Sequence, residues 1–228
     1  MVDSQPLEQL RRRFAGAEVD VLGNGPTVAA WTPGDRAIAT VNAGMPLVAS
    51  HEAKADLYWV QDERFIATKG PSLVPYVHLI DFFAADARII DLVPPSYGHR
   101  VPVRMMGDVD WSRDPRLGVN HGYNVVFGLL QLLSWCQVRS VHLWGVGMRY
   151  WSTNPRYHQS TRGADVDLHR SAEQVILVNR ALDILRSEGV EVEVHGPSAL
   201  TDFAPLPQGQ WAGQVAPLTT PPTRIQPT

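Results

Sequence analysis

The sequence predicts an α/β protein in which helices flank a mostly parallel sheet. Short apolar segments typical of strands alternate with longer segments typical of helices, and this alternation indicates crossover connections between parallel strands. The chain has 228 residues, of which 44% are hydrophobic, enough for one substantial core. Two glycine-rich turns, at residues 23–25 and 145–147, follow predicted strands, as expected where strands end at one edge of such a sheet.

The first half of the chain begins with a predicted amphipathic helix at residues 6–14. Leu7, Leu10 and Phe14 recur there at helical spacing, which places them on one apolar face. Short segments rich in small or branched apolar residues then predict strands at residues 18–22, 37–41, 57–60, 77–80 and 88–90.

The second half contains the two longest predicted helices. Residues 124–136 are almost continuously apolar, which predicts a buried helix, and residues 138–144 predict a central strand. Apolar residues at helical spacing predict another helix at residues 171–188, which Gly189 ends. A last strand is predicted at residues 190–194.

One domain is predicted over residues 1–204. Within it, the polar segment around residues 149–170 is predicted to form a small lid. The tail, residues 205–228, is rich in Pro, Gln, Thr and Gly and is predicted to be disordered.

Composition excludes several classes of protein. The net charge of −3 and the pI near 6.2 argue against a nucleic-acid-binding surface. The single cysteine, Cys136, excludes an internal disulfide and indicates a packing role. The absence of a signal-peptide core and of a membrane-length apolar stretch predicts a cytoplasmic protein. The arginines at 11–13 indicate either a solvated helix face or peripheral contact with an acidic membrane or partner.

The turn after the first strand is the strongest candidate for a nucleotide site. A strand that ends at two glycines lets backbone N–H groups approach a phosphate, and a following helix would direct its positive end there. Val28 occupies the place of the third glycine of the dinucleotide fingerprint, and an ordinary tight turn is the alternative. The candidate residues are Gly23, Asn24, Gly25, Pro26 and Thr27.

Polar residues also follow the second and third predicted strands. Asn42 is placed to contact ribose hydroxyls, or else it is a turn residue. Gln61 and Asp62 follow the next strand, and Asp62 either caps the next helix or faces the ligand.

The loop after the central strand combines hydroxyl, aromatic and cationic groups. Beyond Gly145, arginine is suited to bind phosphate or carboxylate, and tyrosine hydroxyls can donate to a leaving phosphate. A surface loop anchored by aromatic residues is the alternative. The candidates there are Arg149, Tyr150, Arg156 and Tyr157.

Histidine is the natural candidate for a general base because its pKa lies near neutrality. His158 and His169 bracket the predicted lid, and His121 precedes the buried helix. His195 is a further candidate, whereas His142 lies inside a strand and is interpreted as structural. The pair Asp108 and Asp110 has the D-x-D form that can hold Mg²⁺, although such spacing is common by chance; no metal ligand is assigned.

In their order, these features resemble the small bacterial sialyltransferases that use CMP-sialic acid. The resemblance covers residues 18–202. The related group of 6-hydroxymethylpterin diphosphokinase-like proteins and flagellin-glycosylating relatives resembles segments 41–42 and 60–62. The family's aspartate after the central strand is replaced here by Gly147. The matching pieces are residues 23–27, Asn42, Gly122, 125–133, 145–147, Tyr150, Tyr157, 181–185 and 197–200.

The resemblance implies a Rossmann-like, sialyltransferase-like variant of the GT-A fold. It implies an inverting glycosyltransferase of surface glycan or lipopolysaccharide assembly, with a CMP-sialic acid-like donor and a glycan acceptor. Asn24 and Asn42 would contact the cytidine nucleotide, Tyr150 and Tyr157 the leaving phosphate, and a lid histidine would be the base. The alternatives are an ATP-dependent, Mg²⁺-requiring diphosphokinase-like transferase and an inactive nucleotide-binding protein of the same fold.

Overall fold

The computed structural model describes residues 5–90, 99–107, 110–148 and 165–202. Its main sheet has seven strands, all paired in parallel, which confirms the predicted fold class. These strands are β1 (Glu18–Leu22), β2 (Ala37–Val41), β3 (Ala55–Val60), β4 (Ile80–Asp86), β5 (His99–Val103), β8 (Ser140–Trp144) and β9 (Glu191–Val194). A separate pair consists of β6 (Met105–Met106) and β7 (Val119–Asn120).

The order of the strands determines where a ligand site is expected. Across the sheet the order is β5-β4-β3-β2-β1-β8-β9. Strands β2 to β5 are therefore added in sequence on one side of β1, and β8 and β9 are added on its other side. The order reverses between β1 and β8. In open parallel sheets, ligands bind outside the carboxyl ends of the strands at such a reversal.

Helices cover both faces of the sheet and create two apolar clusters. One cluster joins β1 and β8 to α1, α5 and α6, and the other joins the second face to α2, α3 and α4. None of the helices in the described part of the chain combines the length and apolar character that a bilayer crossing requires. The helices are α1 (Gln5–Phe14), α2 (Met45–Ser50), α3 (Glu63–Leu73), α4 (Ala87–Ile90), α5 (Val125–Trp135), α6 (Asp165–Ser187) and α7 (Ala199–Asp202).

Helix α5 is apolar on nearly every side because the sheet and α6 enclose it. The Asn124 side chain caps its first turn by accepting a hydrogen bond from the amide of Val126 at 2.8 Å. The indole N–H of Trp59 donates to the carbonyl of Val125 at 3.0 Å, which fixes the start of the helix against β3.

Two predicted strands are wrong. Residues 77–79 belong to a 3₁₀ segment, Val74–Leu79, and β4 begins only at Ile80. Residues 88–90 belong to α4, because the Asp86 carboxylate accepts the amide hydrogen of Arg88 at 2.8 Å and starts a helical turn. The strand of this region is β4, whose apolar residues 82–85 are buried.

The elements that the sequence did not predict include α2, α3 and β5, each for a local reason. Helix α3 contains Gly70 and Pro71, which normally interrupt helices, and α2 has only six residues. Strand β5 contains Pro102, which is tolerated because β5 lies at the edge of the sheet.

The remaining predicted elements are confirmed, with small changes at their ends. Strands 18–22 and 37–41 have the predicted bounds. Helix α6 begins at Asp165, six residues before the predicted start at residue 171. Residues 165–170 of the predicted lid therefore form the first turns of α6. Residues 149–164 of the lid and the tail at 205–228 lie outside the described residues.

Candidate functional site

A cleft of about 270 Å³ lies at the carboxyl ends of β1, β2, β3 and β8. The loops predicted to converge there do converge, and the turn before α5 together with α6 forms the opposite wall. The lining residues are Gly23, Asn24, Gly25, Val41, Asn42, Gln61, Asp62, His121, Tyr123, Asn124, Val125, Val126, Gly145, Val146, Gly147, Met148 and Gln174.

The two glycines after β1 allow the backbone of this loop to pack directly against the backbone that follows β8. The amide of Gly23 donates to the carbonyl of Trp144 at 2.8 Å, and the amide of Gly25 donates to the carbonyl of Gly145 at 2.7 Å. A Cβ atom on either Gly23 or Gly25 would lie 2.6 Å from the Gly145 oxygen. These two amides therefore donate within the protein. Contrary to the prediction, they are not free to bind a phosphate.

The segment after these glycines is also different from the prediction. Pro26–Ala30 forms a five-residue 3₁₀ segment rather than an α-helix. Pro26 and Thr27 do not line the cleft; the Thr27 hydroxyl instead accepts the amide hydrogen of Gly145 at 3.1 Å. Thr27 thus holds the loop after β8 in place.

Three amide side chains of the cleft, which we call the amide cluster, each leave one oxygen unpaired. These oxygens are buried and have no hydrogen-bond partner among the described residues. A buried polar atom without a partner costs about 1–3 kcal/mol. A ligand donor that reached one of these oxygens after its side chain turned toward the cleft would recover that free energy. The amide cluster consists of Asn24, Asn42 and Gln61.

The backbone of the cleft adopts uncommon conformations. Asn42, Tyr123 and Met148 have φ values of 45°, 54° and 53°, in the left-handed region. The phenol of Tyr58 donates to the carbonyl of Asn42 at 2.8 Å and supports its conformation. Such conformations concentrate at functional sites, where the surrounding structure maintains them.

Gln61 is held between the turn before α5 and α5 itself. Its side-chain N–H donates to the carbonyl of His121 at 3.2 Å. A Cβ atom on Gly128 of α5 would lie 2.7 Å from the Gln61 oxygen, so only glycine leaves room there. Asp62 lines the cleft and also caps α3, accepting the amide hydrogen of Arg64 at 2.9 Å, which was one of its two predicted roles.

The opposite wall contains residues that sequence reasoning missed. The side-chain N–H₂ of Asn124 donates to the Gln174 side-chain oxygen at 3.4 Å and contacts the Met148 sulfur at 3.5 Å. The one available signal was the position of Asn124 before an apolar segment, which is typical of an N-cap. Gln174 gave no signal because its contact is made across 50 residues.

The described lining carries little charge. The titratable side chains among the described lining residues are those of Asp62, His121 and Tyr123. These residues include no lysine or arginine. Hydrogen bonding rather than ion pairing therefore dominates recognition by this part of the cleft.

A larger groove of about 440 Å³ lies at the amino ends of the strands, but its arginines are paired with carboxylates. Arg13 pairs with Asp56, and Arg139 pairs with Glu18. Because ligands of parallel sheets bind at the carboxyl ends, we assign the site to the smaller cleft.

The structure describes only some of the residues that the sequence predicts to be catalytic or substrate-binding. His121 lines the cleft, whereas His142 and His195 lie together outside it, on β8 and after β9. Asp110 does not line the cleft. Several candidates lie outside the described residues, or have side chains that do: Asp108, Arg149, Tyr150, Arg156, Tyr157, His158 and His169.

No family model matches the sequence, and neither does any curated protein. The fold is similar to that of the sialyltransferase CstII from Campylobacter jejuni, solved in complex with a substrate analogue, cytidine-5'-monophosphate. That similarity has a TM-score of 0.50 at 11% identity and covers 84% of this chain and 85% of that chain.

The fold is also similar to that of MAf glycosyltransferase from Magnetospirillum magneticum AMB-1. The TM-score is 0.53 at 10% identity over 84% of this chain, which spans only 35% of the MAf chain. These likenesses confirm the predicted sialyltransferase-like fold. Neither structure supports the resemblance to diphosphokinase-like proteins.

Proposed function

We propose that this protein is a glycosyltransferase that uses a CMP-sugar donor, of the CMP-sialic acid type, and that the cleft binds the cytidine nucleotide. The observation that carries the proposal is the amide cluster at the reversal of strand order. Its unpaired oxygens accept hydrogen bonds, and a cytidine nucleotide offers donors in the amino group of its base and the hydroxyls of its ribose. The likeness in fold to a sialyltransferase bound to a cytidine nucleotide supports this choice of base.

The reaction is a single inverting displacement. A hydroxyl of the glycan acceptor attacks the anomeric carbon of the donor sugar, and the bond from that carbon to the CMP phosphate breaks. A histidine, His158 of the predicted lid or His169 in the first turns of α6, takes the proton of the hydroxyl. Tyr150 and Tyr157 donate hydrogen bonds to the departing phosphate, whose negative charge grows in the transition state.

Titration calorimetry with CMP, and with ATP plus Mg²⁺, tests the nucleotide. We expect CMP to bind with one site per chain and ATP to bind at least about tenfold more weakly, a difference of about 1.4 kcal/mol. Binding of ATP with Mg²⁺ but not of CMP would favour a diphosphokinase-like transferase and overturn the proposal.

Release of CMP from CMP-sialic acid, measured with and without glycan acceptors, tests the transfer. We expect slow release by hydrolysis and faster release with a suitable acceptor. Tight donor binding without any CMP release, unchanged in His158→Ala and His169→Ala, would identify an inactive nucleotide-binding protein instead.

A further inference from the structure

A cluster of two histidines and a glutamate lies at the edge of the sheet, outside the cleft. His142 of β8 pairs directly with Glu193 of β9 in the parallel register. His195 follows two residues after Glu193, so its side chain lies on the same side of the strand. The amide of His195 donates to the carbonyl of Leu143 at 2.9 Å, which extends the ladder beyond β9 and fixes the position of the second ring.

Two of the distances within the cluster are close to the spacing of ligands around one ion, and Nδ1 of His195 lies 3.7 Å from the Glu193 carboxylate. Nδ1 of His142 lies 3.1 Å from the Glu193 carboxylate and 3.5 Å from Nε2 of His195. One ligand atom from each of the three residues lies within 4.8 Å of the others. Zinc bonds of about 2.0–2.2 Å in tetrahedral geometry place neighbouring ligand atoms about 3.3–3.5 Å apart.

Neighbouring groups orient both rings. The Ser140 hydroxyl lies 3.2 Å from Nε2 of His142. When this hydroxyl accepts the Nε2 hydrogen, the lone pair of His142 is on Nδ1, the atom that faces the cluster. The ring of His195 stacks on Trp144 with centroids 3.7 Å apart and planes 2° apart.

Trp144 is itself fixed. Its indole N–H donates to Asp20 at 3.1 Å, and the Asp20 side chain is almost completely buried. The orientation of His195 therefore does not depend on a bound ion, and the cluster is preorganised.

We propose that His142, Glu193 and His195 form a binding site for Zn²⁺, with three protein ligands and a fourth position open to water. Two imidazoles and one carboxylate are a ligand set that suits zinc, whereas Mg²⁺ and Ca²⁺ prefer oxygen ligands alone. The Glu193 side chain is 60% exposed and that of His142 12%, so one side of the site faces solvent.

The site is independent of the nucleotide cleft. Val141 and Leu143 of β8 belong to the cluster that includes α5 and α6, so the alternating side chain of His142 lies on the other face of the sheet. The bound ion would join β9 to β8 through side chains as well as through the backbone. The proposal thus holds whether or not the protein binds CMP.

Calorimetry with ZnCl₂, on full-length protein first freed of metal by a chelator, tests the proposal. We expect one ion per chain with Kd below about 1 µM. Glu193→Gln and His195→Ala should each weaken binding more than the 10–100-fold that loss of an outer partner causes, and Ser140→Ala should weaken it about tenfold. Glu191→Gln, two residues away on the same strand, and His78→Ala, at an exposed histidine elsewhere, are matched controls that should leave Kd unchanged.

Substitution with Co²⁺ provides a second measurement. A tetrahedral or five-coordinate cobalt site shows visible absorption bands, which we expect in the wild type and not in His195→Ala. If His142→Ala fails to fold, the mostly exposed Glu193→Gln decides the result. Wild-type protein that binds no Zn²⁺ below about 10 µM, or variants that bind as tightly as wild type, would show that the cluster is only a network of hydrogen bonds and ion pairs.

Discussion

The carbonyl oxygen of Gly145 accepts the amide hydrogen of Gly25 at 2.7 Å and so joins the loop after β8 to the loop after β1. Gly145 itself has a φ of 67°, and a Cβ on it would lie 2.7 Å from Cβ of Val28. The glycine pattern of the sequence thus reflects close contact between two loops. This contact forms the floor of the cleft between adjacent strands.

Gly25→Ala should destabilise the protein. The new Cβ would lie 2.6 Å from the Gly145 oxygen, so backbone atoms must move. We expect the free energy of unfolding to fall by about 1–3 kcal/mol, measured by urea denaturation. Gly34→Ala is the matched control, because a Cβ there meets nothing within 4 Å. Equal stability of the two variants would contradict the contact.

Asn42→Gly should weaken CMP binding without destabilising the free protein. The change removes an unpaired side-chain oxygen, and glycine accepts the φ of 45° better than alanine would. One lost hydrogen bond to the ligand corresponds to about 0.5–1.5 kcal/mol, or about a 2–13-fold higher Kd in calorimetry. Gln137→Gly is the control, since Gln137 has a φ of 60° but does not line the cleft. An unchanged Kd in Asn42→Gly would remove Asn42 from the nucleotide site.

Arg149→Ala and Arg156→Ala should distinguish phosphate binding from base binding. The described lining of the cleft carries no lysine or arginine, so the cationic contact to phosphate is expected from the two arginines that the sequence predicts for substrate binding. Loss of a charged hydrogen bond corresponds to about 1.5–3 kcal/mol, or about a 13–160-fold higher Kd for CMP. The Kd for cytidine should stay constant, and Arg12→Ala, on the exposed side of α1, should change neither. A parallel loss of cytidine affinity would show that these arginines act on the fold or the base.

The thiol of Cys136 should be inert in the native protein. Burial raises its pKa to about 12, so the thiol stays almost entirely protonated at neutral and mildly alkaline pH. Because the thiolate is the reactive form, we expect no reaction with Ellman's reagent at about pH 8 under native conditions. One thiol per chain should react after unfolding in guanidinium. Rapid labelling of the folded protein would show that α5 opens locally or packs less tightly.

Residues that follow strands were the most predictable part of the site. Asn42 and Gln61 line the same cleft, as expected, because alternation of strands and helices determines which edge of a parallel sheet their loops share. The role of the glycines was not predictable. The sequence does not distinguish a glycine that leaves room for a ligand from one that leaves room for another segment of backbone. The opposite wall was not predictable either: Gln174 enters the cleft from a helix distant in sequence, and the left-handed conformation of Met148 depends on its surroundings.

The bonded pair of glycine loops also limits how the cleft can change during evolution. Neither loop has space for a larger residue at Gly23, Gly25 or Gly145, so these three positions are closed to larger side chains. A descendant with a changed ligand preference must acquire its substitutions elsewhere in the cleft, at positions such as Asn42, Gln61 and Gln174. An engineer who wishes to change what the cleft binds should randomise those three positions first.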